Sequence, residues 1–167
     1  MTGSVIGIDP SVQRPALAIW PAKETWQFRI KGEGSARFDA LFCELRGWCA
    51  NNAPDDLQAV FIERPTGGFN NPTLYQANGI IQVAMMRGLI ALYPHPPTVF
   101  EISPGTWKKE ALGSGRAKKH DVAMWAASCM FSDGDYETFT QDEADALAIS
   151  CAGYKLLSTE KRNDRRD

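Results

Sequence analysis

Hydrophobic positions near the start of the chain form three short apolar runs. They lie at Val5–Ile8, Ala16–Trp20 and Thr25–Ile30 and contain many of the β-branched and aromatic residues that favour strands. The gaps between them are short and contain proline or charged residues, as the turns of an antiparallel meander do. The sequence therefore predicts three neighbouring antiparallel strands at the start of the fold.

The pattern then changes to a helical period. Apolar residues share one face of the segment 38–49, which predicts an amphipathic helix. Wholly apolar Ala59–Ile62 predicts a strand that is covered on both faces, and Thr98–Ile102 predicts a fifth strand. Between them, about Thr73–Leu92, lies a predicted helix with almost no polar face. Such a helix is either buried in the core or part of a subunit interface, with Met85, Met86 and Leu89 as candidate interface residues.

The last part of the chain predicts helices. Pro104 opens a short turn or helix, the segment 113–115 interrupts the chain, and a helix follows over 117–130. Thr140 and Glu143 have the spacing of a capping box, which predicts a final helix from Thr140 to about Leu157. This order predicts an α/β fold in which a mixed five-stranded sheet carries helices on both faces. We expect one domain over 1–157 and a charged, flexible tail over 158–167.

Composition sets the broad class of protein. The chain has 167 residues, 44% of them hydrophobic and 23% charged, which is typical of a globular domain. The four cysteines lie in apolar helical patterns without C-x-x-C pairing, which argues against a zinc site or disulfide framework. No signal peptide or membrane-length apolar run is visible, so we expect a cytoplasmic protein without a membrane partner.

The formal net charge is −2, which is unusual for a nucleic-acid binder unless the cations cluster. Five cations do lie within twelve residues, opposed only by Glu110: Lys108, Lys109, Arg116, Lys118 and Lys119. Gly113 and Gly115 would let the backbone approach a ligand closely, and a predicted helix N-terminus follows. This segment therefore predicts phosphate contacts, and a solvated charged face is the alternative interpretation.

Acidic residues stand at the ends of three predicted elements. Asp9 and Glu63 each follow an apolar strand, and Asp142 and Asp145 share one face of a first helical turn. Each acid also has a simpler interpretation on its own. Asp9 could be a turn residue, Glu63 could pair with Arg64, and Asp142 and Asp145 could be acids that the helix dipole favours. Together they predict a site for hard divalent cations, which prefer oxygen ligands. Two Mg²⁺ ions about 3.5–4 Å apart would serve phosphodiester hydrolysis, and Mn²⁺ would substitute.

Three motifs resemble those of RuvC-type Holliday-junction resolvases, which belong to the RNase H-like superfamily. They are Ile6-Gly7-Ile8-Asp9-Pro10-Ser11, Ile62-Glu63 and Asp142-Glu143-Ala144-Asp145-Ala146-Leu147-Ala148-Ile149. The resemblance extends from Val5 to about Ala152. It implies an RNase H-like fold, a homodimer, and paired Mg²⁺-dependent nicks across a four-way DNA junction. It also implies ligatable 5′-phosphate and 3′-hydroxyl ends, no small-molecule cofactor, and a bacterial or phage-infected host cell.

The resemblance also implies roles for single residues. Asp9, Glu63, Asp142 and Asp145 match the catalytic metal ligands, with Asp9 bridging both metals. Lys108 and Lys119 match lysines that contact DNA and line the active site, although the adjacent Lys109 and Lys118 leave the register open by one. Phe69 matches an aromatic residue of the loop after the second acid. The loop differs from the family in length and composition, so Phe69 either stacks on an unpaired base or packs into the core.

Other functions fit parts of the sequence. An RNase H-like nuclease could act on another branched or RNA-containing substrate. The Asp9 motif also resembles that of actin-like phosphotransferases, but a second glycine-rich phosphate loop is not evident in the sequence. A junction-binding protein without catalysis is disfavoured because all four acids are present.

Overall fold

The computed structural model describes residues 3–10, 14–32, 34–64, 96–130 and 140–163. Three sequence predictions lie outside these residues: the loop carrying Phe69, the apolar helix Thr73–Leu92 with Met85, Met86 and Leu89, and the loop 131–139.

Five strands of the described residues form one mixed sheet. They are β1 (Val5–Asp9), β2 (Ala16–Trp20), β3 (Glu24–Gln27), β4 (Ala59–Glu63) and β5 (Thr98–Ile102). The spatial order is β3-β2-β1-β4-β5. The β1–β2 and β2–β3 pairs are antiparallel, whereas the β1–β4 and β4–β5 pairs are parallel. The predicted meander and the predicted mixed sheet are therefore confirmed.

Strand β3 ends earlier than the predicted Ile30. Beyond Gln27 the chain leaves the sheet, although the Phe28 amide still donates a hydrogen bond to the Pro15 carbonyl at 2.9 Å. Ile30 is buried with Leu41 and Leu45 of the helix that follows. The apolar pattern extended the predicted strand because residues that pack beneath a helix are as hydrophobic as those of a strand.

The described helices are α1 (Gly34–Asn52), α2 (Pro104–Leu112), α3 (Lys119–Met130) and α4 (Gln141–Asn163). Alternate strand residues contribute to two separate apolar clusters. Ile6, Ile8 and Leu17 pack with α1 on one face of the sheet, whereas Val5 and Ala18 pack with α2, α3 and α4 on the other. This alternation follows from the two-residue period of a strand, and it confirms the prediction of helices on both faces.

Helix α4 continues to Asn163, beyond the predicted end near Leu157. Leu156 and Leu157 pack against the core, and the hydroxyls of Ser158 and Thr159 donate hydrogen bonds to carbonyls four residues earlier. Residues 158–163, which were predicted to belong to a flexible tail, therefore continue the helix. Over the described ranges, no helix is long and apolar enough to span a membrane.

Close packing between α4 and β1 brings the start of α4 near the end of β1. A Cβ atom added to Gly7 would overlap the backbone of Ala146 and Ser150. Ala144, Ala146 and Ala148 are fully buried, and their short side chains suit a helix that lies close to the sheet. Gly7 is therefore the residue of β1 that permits this approach.

We predict that Gly7→Ala destabilises the fold by about 1–3 kcal/mol, because helix and strand must separate to make room for the methyl group. Urea unfolding measures the change. Gly47→Ala is the matched control: Gly47 lies in α1 with no atom close to the position of an added Cβ. Alanine there should be neutral or stabilising by up to about 1 kcal/mol. Equal stability of Gly7→Ala and wild type would contradict the packing described here.

Candidate active site

The four predicted acids come from three elements that meet at the carboxyl ends of strands β1 and β4. Parallel strands β1 and β4 are paired in register, with Ile8 opposite Ile62, so the next residues, Asp9 and Glu63, end the strands side by side. Helix α4 contacts β1 and supplies Asp142 and Asp145 from its first two turns. All four side chains are half-buried.

Burial and mutual repulsion dominate the electrostatics of this site. Burial, followed by the charges of Glu63, Asp145 and Asp142, raises the pKa of Asp9 from 3.8 to about 8. The pKa values of Glu63 and Asp145 are also raised, in both cases mainly by burial. The acids therefore share one electrostatic site, in which Asp9 carries the largest penalty for ionisation.

Three of the acids accept hydrogen bonds from neutral donors. The indole Nε1 of Trp107 donates to Glu63 Oε2 at 2.8 Å. Gln27 Nε2 of β3 donates to Asp142 Oδ2 at 2.8 Å, and Gln141 Nε2 donates to Asp145 Oδ1 at 2.8 Å. These donors hold the acids in defined orientations without bringing a compensating positive charge.

The start of α4 is fixed by the predicted capping box, which the structure confirms. The Thr140 amide donates to Glu143 Oε2 at 2.8 Å, and the Glu143 amide donates to Thr140 Oγ1 at 3.3 Å. Glu143 also accepts a hydrogen bond from Thr25 Oγ1 of β3 at 3.2 Å. Glu143 therefore anchors the helix end that presents Asp142 and Asp145.

Two lysines influence the acids directly. The charge of Lys119, at the start of α3, lowers the pKa values of Asp9 and Asp145. The charge of Lys108 on α2 lowers those of Glu63 and Asp145. Neither lysine lowers these pKa values as much as burial raises them, so the acids are only partly neutralised.

The other predicted cations lie further along the same surface segment. Lys109, Arg116 and Lys118 have exposed side chains, and the Lys118 amide donates to Asp121 Oδ2 at 2.8 Å near the start of α3. The structure therefore places Lys108 and Lys119 where their charges reach the acids, with solvated basic residues next to each in the sequence.

The donor set fits a hard divalent cation. Four carboxylates supply only oxygen atoms, and their mutual repulsion, which adds to burial in raising the pKa of Asp9, would be offset by a cation. Within the described ranges, no three Asp, Glu, His or Cys side chains converge closely enough, as they stand, to hold a metal ion.

Sequence reasoning missed the donors Trp107, Gln27 and Gln141. The contact of Gln141 with Asp145 could have been predicted, because the two residues are four apart on one helix. Trp107 and Gln27 meet their acids across 44 and 115 residues of chain, so only the folded packing reveals them.

No family model matches the chain. The crossover junction endodeoxyribonuclease RuvC of Bordetella pertussis is 30% identical over 158 residues, which span 87% of this chain and 80% of the relative. Among solved structures, Thermus thermophilus RuvC aligns with a TM-score of 0.72 at 18% identity, over 94% of this chain and 96% of the other. T. thermophilus RuvC in complex with a Holliday junction substrate aligns with a TM-score of 0.70 at 19% identity, over 95% and 96% of the two chains.

The structural likeness defines an α/β protein of the RNase H-like fold, as predicted. The sequence relatives identify the family more narrowly. The chain belongs to the RuvC family of crossover junction endodeoxyribonucleases.

Proposed function

We propose that this protein is a Mg²⁺-dependent endonuclease that resolves four-way DNA junctions by paired nicks. The observation that carries the proposal is the convergence of Asp9, Glu63, Asp142 and Asp145 at one sheet edge, within reach of Lys108 and Lys119, in a chain of the RuvC family. Such an activity belongs in the cytoplasm of a bacterial or phage-infected cell.

The four carboxylates of Asp9, Glu63, Asp142 and Asp145 would hold the metal ions. Bound Mg²⁺, or Mn²⁺ in its place, supplies activation of the attacking water and stabilisation of the leaving 3′ oxygen. The products would then carry 5′-phosphate and 3′-hydroxyl ends. Metal binding also favours ionisation of Asp9, whose proton must leave before both of its oxygens can act as ligands.

The lysines complement the acids. Lys119, whose charge reaches Asp9 and Asp145, would offset negative charge that builds on the scissile phosphate. Lys108, whose charge reaches Glu63 and Asp145, would hold the DNA backbone at the site. Lys109, Arg116 and Lys118 would extend these phosphate contacts along the exposed segment, which would overcome the unfavourable net charge.

Two further parts of the proposal rest on sequence alone. Phe69 would stack on an unpaired base at the branch point. Part of the helix that the sequence predicts over about Thr73–Leu92 would pack against its twin in a homodimer. A four-way junction offers two equivalent strands, and a two-fold dimer would place one active site on each.

A supercoiled plasmid that extrudes a cruciform tests the function and the pairing of the nicks together. With Mg²⁺ the wild-type protein should convert the plasmid to linear product, because both nicks fall within the lifetime of one complex. Asp9→Asn should bind a synthetic junction but leave it uncut, since it loses a metal ligand and no DNA contact. Gel electrophoresis and band-shift assays measure the two results.

Several outcomes would contradict the proposal. Nicked circles without linear product would contradict paired cleavage, and wild-type cutting by Asp9→Asn would contradict the metal site. Flaps and RNA–DNA hybrid duplexes, assayed beside the junction, identify the substrate. Preference for either of them over the junction would support the alternative nuclease activity.

The adjacent lysines give a matched pair for the basic segment. Lys119→Ala should lower the single-turnover cleavage rate about 100-fold or more, because it removes charge stabilisation at the reacting phosphate. Lys118→Ala should leave that rate near wild type and reduce the salt dependence of junction binding by roughly one unit of slope. Rates that fall equally in the two variants would contradict the distinct roles of these lysines.

A further inference from the structure

Trp107 donates a hydrogen bond to an acid of the site, and burial of the side chain alone does not explain this bond. The side chain lies in the core with 1% of its surface exposed, and its Nε1 is 2.8 Å from Glu63 Oε2. Trp48, also buried, has an Nε1 without a hydrogen-bond partner among the described residues. Within the described residues, burial of an indole therefore does not by itself provide its N–H with a partner, so the bond to Glu63 is a specific feature of the site.

We propose that Trp107 is a positioning residue, which orients Glu63 for metal binding and Lys108 for contact with the DNA backbone. The inference rests on the proposed metal-dependent function. An indole N–H donates and never accepts, so it complements an ionised carboxylate. A glutamate side chain has several rotatable bonds, and a hydrogen bond from a rigid donor selects one orientation among them.

The donor is rigid because α2 is fixed at both ends and docked on α4. Ser103 Oγ accepts a hydrogen bond from the Thr106 amide at 3.2 Å at the start of α2. At the other end, Gly113 adopts the left-handed conformation with φ 85°. Lys155 Nζ of α4 donates to the carbonyls of Glu110 and Ala111 at 2.9 and 3.3 Å. Trp107 therefore ties the acid of β4 to the helix pair that also carries Asp142 and Asp145.

The same ring also contacts the cation. Lys108 Nζ lies 5.2 Å from the centroid of the Trp107 ring, within the range of a cation–π interaction. The indole thus touches an acid through its N–H and a lysine through its ring. One side chain sets the placement of two groups of opposite charge that face the same site.

Partners that orient metal ligands typically contribute about 10–100-fold to metal affinity or activity. We therefore expect Trp107→Phe, which removes the N–H and keeps an aromatic ring, to weaken Mn²⁺ binding by about 10–100-fold. Electron paramagnetic resonance of Mn²⁺ titrated into DNA-free protein measures this. Trp48→Phe is the matched control, because it removes a buried indole N–H that has no partner among the described residues, and its Mn²⁺ affinity should equal that of wild type.

An NMR measurement on folded protein supports the test without relying on that variant. In ¹⁵N-labelled protein, the Trp107 indole signal can be assigned by elimination through substitution of the other four tryptophans. Glu63→Gln should shift this signal, because the acceptor loses its charge, and Mg²⁺ should shift it in wild type. The Trp48 signal should remain in place in both cases.

Failure of the proposal is distinct from failure of the function. A thermal unfolding transition shows whether Trp107→Phe is folded. If wild type cuts junctions and the folded variant binds Mn²⁺ with unchanged affinity, the positioning role is wrong and the nuclease function stands. If Trp107→Phe does not fold, a Trp107 indole signal that is insensitive to both Glu63→Gln and Mg²⁺ overturns the role. A wild-type protein that leaves junctions uncut overturns the function itself.

Discussion

Four half-buried carboxylates lie close together where β1, β4 and α4 meet, and the surrounding contacts must hold them there against their repulsion. Ionised Asp9 loses solvation and faces three other acids, so its pKa rises from 3.8 to about 8. Since the folded pKa exceeds the unfolded one, this group makes the metal-free fold progressively less stable as pH rises from about 4 to about 8. Packing elsewhere must therefore hold the site together until a cation offsets the charge.

The fold meets this demand with contacts that approach the acids from several sides. Gly7 allows α4 to lie close on β1, and the Thr140–Glu143 capping box fixes the end of α4 that carries two of the acids. Gln27 and Trp107 hold Asp142 and Glu63 with neutral donors. These two donors orient the acids without neutralising their charge, which among the described residues only Lys108 and Lys119 are shown to offset in part.

The sequence predicted those strands and helix caps that are determined by residues close together in the chain. The apolar run before Asp9 predicted β1, and the spacing of Thr140 and Glu143 predicted the cap of α4. The Trp107–Glu63 bond escaped prediction because its partners are 44 residues apart and only the docking of α2 joins them. Periodicity misplaced the ends of β3 and α4, since Ile30 is buried outside the sheet and the polar residues after Leu157 satisfy the helix backbone with their own hydroxyls.

Titration of the Asp9 carboxyl carbon by ¹³C NMR, with and without Mg²⁺, measures whether the four acids form one metal-dependent site. Without metal we expect a midpoint near 8, because burial and the neighbouring acids oppose ionisation. With saturating Mg²⁺ the midpoint should move toward 3.8, since bound cations favour the charged form. A midpoint near 3.8 in the metal-free protein, unchanged by Mg²⁺, would contradict the claim that these acids form one metal-dependent site.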